Sequence, residues 1–122
     1  MLSNNWEWIC VTKEGELMDI NENKLVLSVS GKRKYLEKLI GKMIKILHLI
    51  QEEEQTGNSP QPFIFGQLVE LNSANQLFDN ELIEIIIKLN AVYNNYSTVP
   101  FTETKRLIFE IKNKINFLLE HL

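Results

Sequence analysis

One cysteine, two histidines and three prolines in 122 residues leave little of the chemistry from which active sites, metal centres and disulfide frameworks are made. Cys10 has no second thiol to pair with, so an intramolecular disulfide is excluded and a reducing, cytoplasmic compartment is expected. A reactive thiolate needs a cationic or helix-N-terminal neighbour. Nothing near Cys10 supplies one, and it reads as a small buried strand residue. His48 stands four residues before Glu52, a spacing that can set two metal ligands on one helix face. No third ligand is placed beside them, so a surface histidine near a helix end is the simpler reading. His121, next to the last residue, is expected in solvent. The five glycines form neither GxGxxG nor GxxxxGK[ST], and no serine sits in GxSxG. No catalytic set, cofactor or metal is therefore expected, and the chain does not read as an enzyme. No run of roughly eighteen apolar residues exists to span a bilayer. Residues 1–5 lack the basic and apolar regions of a signal peptide, so none is expected.

Hydrophobic residues at 44% and charged residues at 24% are ordinary for a soluble globular chain. The net charge of −3 argues against a general polyanion binder while leaving room for a local basic patch. The length suits one domain, residues 1–122, able to bury about two thirds of its unfolded surface.

Taken in order, residues 6–11, 17–20 and 25–30 are three short apolar runs separated by turn-forming polar stretches. They predict an antiparallel three-stranded β-meander over residues 1–30. Trp6, Trp8 and Cys10 share one face of its first strand. Residues 31–122 predict a four-helix bundle, which makes the fold class α+β and mostly α. The first helix is expected over residues 32–55, with Ser30 as N-cap and Gly57 beyond its end. Its apolar stripe is Leu36, Leu39, Ile40, Met43, Ile46, Leu47 and Ile50. A second helix over residues 62–77 follows the line of Ile64, Leu68, Leu71 and Asn75, flanked by Phe65 and Val69. A third, capped by Asp79 or Asn80, carries Leu82, Ile86, Leu89 and Tyr93, extended by Ile85, Val92 and Tyr96. Ile83 and Ile87 fall outside that stripe, so this helix is central or shares an interface with another chain. The last helix, residues 101–121, repeats Phe101, Thr104, Ile108, Ile111, Ile115, Leu118 and Leu122 close to a heptad seam. The first and last helices are the long ones and are expected to lie side by side.

The charges of the first helix oppose its dipole. Lys32, Arg33 and Lys34 sit at the positive end, and Glu52, Glu53 and Glu54 at the negative end. Each such charge costs up to about 1 kcal/mol at an exposed terminus. Lys34, Lys38, Lys42 and Lys45 also crowd one face, where like charges four apart repel by about 0.2–0.5 kcal/mol. Broken local rules point to use elsewhere. The expectation is a small protein-binding module of inhibitor, immunity or antitoxin-like kind that works by occupying a partner's surface. Trp6 and Trp8 supply aromatic contact, and Glu52, Glu53 and Glu54 an acidic end, joined on the acidic side by Glu70, Asp79, Glu81 and Glu84. The alternative is a nucleic-acid-contacting accessory protein that uses Lys32, Arg33, Lys34, Lys38, Lys42 and Lys45. A third reading closes a homo-oligomer through Ile83 and Ile87. The bland readings are a solvated charged face and tryptophans that cap the core.

Overall fold

A computed structural model describes residues 17–21 and 24–122. Two short strands, β1 (Leu17–Asn21) and β2 (Lys24–Leu27), pair antiparallel with Leu17 opposite Leu27, and the register shifts by one between Asp19 and Asn21. Four helices follow: α1 (Val29–Thr56), α2 (Gln61–Ala74), α3 (Ile83–Asn95) and α4 (Phe101–Glu120), with a 3₁₀ turn at Asn75–Phe78 after α2. The fold is a helical bundle, and the expected three-stranded meander is not seen. Its first strand, at residues 6–11, lies outside the described residues. Its third strand stops at Leu27, because Ser28 is already taken up in capping α1.

That cap corrects a second expectation. Ser28, in extended conformation, accepts a hydrogen bond on Oγ from the N–H of Gly31 at 3.1 Å. Ser30 is instead inside the first turn, where its backbone is helical and cannot cap. At the other end Gly57 takes φ 75° and donates its N–H to the Glu53 carbonyl at 2.8 Å. A left-handed residue here ends the helix, and glycine adopts that conformation without the penalty of a Cβ. Between the caps α1 is unbroken for 28 residues, about 42 Å.

The corner between α2 and α3 is built from asparagines. Asn72 returns its side-chain amide to the Leu68 carbonyl at 2.8 Å, and the helix tightens to 3₁₀ two residues after Asn72's neighbour Ser73. Asp79 and Asn80 then take φ 54° and 64°, a region their short polar side chains tolerate. Neither caps α3. Asn75 reaches across instead: its Oδ1 accepts from the Leu82 N–H at 3.0 Å while its Nδ2 donates to Asn80 Oδ1 at 3.1 Å.

The core is one cluster to which all four helices contribute, including Leu36, Met43 and Ile46 from α1 and Ile108, Ile111 and Ile115 from α4. α1 packs on α4, α4 on α3, and α3 on α2, while Leu27 of β2 rests against the edge of the cluster. Ion pairs tie neighbours at the margin: Lys42 to Glu70 at 3.2 Å, Lys88 to Glu110 at 3.1 Å and Lys114 to Glu84 at 3.5 Å. Arg106 also binds Glu103 and Glu110 along α4. These pairs are all partly solvated and each contributes at most about 1 kcal/mol.

Two buried positions are polar, Gln67 in α2 and Thr104 in α4, and Thr104 is the deeper of the two. Thr104 is 1% exposed, and its hydroxyl has no hydrogen-bond partner among the described residues. An unsatisfied buried hydroxyl costs about 1–3 kcal/mol, and valine keeps the shape without it. Thr104→Val is therefore expected to raise the thermal midpoint by about 4 °C, for a gain of about 1 kcal/mol. Ile111→Ala, which empties a fully buried site, is expected to lose about 2–5 kcal/mol. Circular-dichroism melts check both. A lowered midpoint for Thr104→Val would show that the hydroxyl is bonded in solution.

Candidate functional site

No group of three or more His, Cys, Asp or Glu that could hold a metal ion comes together among the described residues. His48 is exposed and has no such cluster around it. His121 is exposed too, its ring 4.1 Å from that of Phe117, with Nδ1 2.8 Å from the Phe117 carbonyl. Trp6, Trp8 and Cys10 lie outside the described residues.

The lysine stripe of α1 is partly consumed within the chain. Lys42 is held by Glu70, Lys45 stands 4.7 Å from the Phe63 ring centre, and Lys32 stands 5.7 Å from that of Phe78. Lys34 is also engaged. Arg33 and Lys38 are exposed. Much of the cationic face thus leans on aromatic rings and a carboxylate of the 61–78 segment rather than projecting as a continuous track. At the opposite end Glu52 and Glu54 are exposed and Glu53 half-buried, and no basic residue occupies the last turn. Of the wider acidic set, Glu70 and Glu84 are spent on lysines.

Beside Lys42 and Glu70 lies a pocket of about 220 Å³, lined also by Tyr35, Lys38 and Leu39. Tyr35 packs on Phe78, ring centres 5.4 Å apart, and its buried hydroxyl has no partner among the described residues. Burial first and the Glu70 carboxylate second push the phenol above its ordinary value of 10.0.

A larger concavity lies elsewhere. α2 and α3 enclose a groove of about 450 Å³ whose apolar walls are Phe65, Leu68, Val69, Ile86 and Tyr93. Phe65 near the start of α2 meets Tyr93 near the end of α3, with ring centres 6.1 Å apart. The two helices therefore run in opposite directions. Asn72, Ser73, Asn90 and Asn94 complete the lining, and no charged side chain is among them. Alongside the groove Ile83 and Ile87 project from α3, one turn apart and on the same outward row as Asn90 and Asn94. Phe65 is 55% exposed, Val69 51%, Ile83 47% and Ile87 63%. The groove lining is uncharged and drawn from both helices, and Glu70 and Glu84, each paired to a lysine, follow Val69 and Ile83 at its margin. The sequence marked Ile83 and Ile87 as lying off the stripe but placed Phe65 and Val69 beside the core line of α2. They sit one residue after Ile64 and Leu68, about 100° around the helix, which carries them out to solvent.

Comparison with known proteins finds no matching family model, no matching curated protein and no matching solved structure. No helix among the described residues is long and apolar enough to cross a membrane.

The Tyr35 environment sets a pH dependence. Above pH 10 the unfolded chain releases a phenolic proton that the folded chain retains. Stability from this site is complete below pH 10 and declines as pH rises beyond it. Tyr35→Phe is expected to shift alkaline unfolding to higher pH, and the wild type to retain one un-ionised tyrosine until it unfolds. Denaturant titrations at stepped pH, with tyrosinate absorbance, check this. Identical pH dependence in the two proteins would contradict it.

Proposed function

We propose that this chain is a non-catalytic protein-binding module that works by laying the α2–α3 face against an apolar surface of a protein partner. The observation that carries the reading is the uncharged groove lining, with Phe65, Val69, Ile83 and Ile87 exposed in and beside it, in a chain of which 24% is charged. Apolar side chains gathered in one place on a surface, rather than scattered singly, often mark a functional surface. The residue types also suit an interface centre, where charged side chains are depleted and aromatic side chains enriched. Surface occupation without chemistry is how inhibitor, immunity and antitoxin-like proteins act, and that finer role belongs to the same reading. Glu52, Glu53 and Glu54 add a charge contribution at the end of α1. It serves to speed encounter with a basic surface rather than to hold the complex.

A photo-crosslinking side chain in place of Val69 or Ile87, in the full chain produced in its native host, tests the reading. Adducts of discrete mass are expected from both positions. None are expected from the same group at the exposed Thr102 of α4. Adducts that are absent, or equally abundant from all three positions, would sink it.

A further inference from the structure

We infer that the occupant of the α2–α3 face is a second copy of this chain, paired about a two-fold axis. This rests on reading the face as a protein-binding one and adds who the partner is. Three observations converge on a like partner.

The first is shape. The face carries both a recess and a projection: the groove between Phe65, Val69, Ile86 and Tyr93, and beside it the aliphatic pair Ile83 and Ile87, which are not part of the lining. In a two-fold contact the same patch serves both partners, so residue i of one copy meets j of the other and j meets i. A face with hole and knob side by side can satisfy itself twice in that way, each Ile87 entering the other copy's groove.

The second is charge. Near a two-fold axis a side chain approaches its own image, so any charge there meets a like charge, a juxtaposition that costs several kcal/mol. The chain carries a net charge of −3, yet none of that charge lines the groove. Its polar members are Asn72, Ser73, Asn90 and Asn94. Each has both a donor and an acceptor and can hydrogen-bond to its own copy. A partner recognised by charge complementarity would have no counterpart on this surface.

The third is area. Two adjacent helices, each about 10–12 Å across with side chains, exposed over about 15–20 Å of length, give a footprint of roughly 400 Å² per copy. With side-chain relief, pairing removes on the order of 1,000 Å² in total, the lower limit for a specific interface. A contact of this size is of the weak, dissociable kind.

Analytical ultracentrifugation of the full chain over a dilution series tests this. The expected result is a reversible shift between the 14.3 kDa monomer and a species of twice that mass. Ile87→Asp and Phe65→Asp, both at exposed positions, are expected to leave the helical circular dichroism unchanged and weaken the dimer by roughly 30-fold or more. Phe117→Asp on the exposed side of α4 serves as a control that leaves it intact. A monomer throughout the series overturns the inference, as does a dimer indifferent to both groove-face variants. The crosslinking test separates the two readings. A monomer that yields a foreign adduct from position 87 keeps the protein-binding reading and discards self-pairing. A monomer with no adduct discards both.

Discussion

Burial of one face of α1 against α4 is the constraint from which the remaining architecture follows. Leu36, Leu39, Met43 and Ile46 are almost wholly withdrawn from water, as are Thr104, Ile108, Ile111 and Ile115 on the facing side of the core. Full burial of such an aliphatic side chain contributes about 1.5–3 kcal/mol. Four of them on α1 outweigh several terminal charges that each cost up to about 1 kcal/mol. This is why a helix with Lys32, Arg33 and Lys34 at its positive end and three glutamates at its negative end still runs unbroken from Val29 to Thr56. Tertiary packing decides, and the local electrostatics are a tolerated cost.

That ordering of magnitudes changes what the inverted charges mean. At the N-terminal end the chain answers part of the penalty itself, through the Ser28 hydroxyl on Gly31 and the Phe78 ring under Lys32. At the C-terminal end Gly57 and the Thr56 hydroxyl take up the Glu53 and Glu52 carbonyls, and so satisfy acceptors that would otherwise reinforce the negative end. The inverted helix therefore does not require an external molecule to exist. Apolar area that faces water lies instead on α2 and α3, where Phe65, Val69, Ile83 and Ile87 are about half exposed or more.

The helical part of this fold was legible because its signal is periodic and redundant. Ile108, Ile111, Ile115 and Leu118 repeat at three and four residues and are buried as that repeat requires, and Gly57 stops α1 as its position predicts. The features that were misread depend on single residues or on what packs where. Ser28 and Ser30 are equally good caps by type, and only the end of β2 at Leu27 chooses between them. Asn75 accepts the N–H of Leu82, the N-cap residue of α3, from seven residues away in sequence, beyond the reach of a local capping rule. Residues 25–30 alternate like a strand throughout, but the first turn of α1 claims the last two. Phe65 and Val69 look like core by composition. Whether a residue 100° off the stripe is covered depends on how many neighbours a helix has, and no local pattern carries that information.

The arrangement of the α2–α3 face also bears on why an exposed apolar surface need not lead to indefinite association. Complementary features on opposite sides of a molecule link it head to tail, and such contacts propagate unless the rotation happens to close. Here the groove and the isoleucine pair lie side by side, so the symmetric contact proposed above would use both at once. The asparagines around them favour a limited, separable contact over a core-like one, because each amide must exchange water for a partner and gains only about 0.5–1.5 kcal/mol when it does. The same surface that would be an aggregation hazard if its knob and hole were far apart becomes self-terminating when they are adjacent.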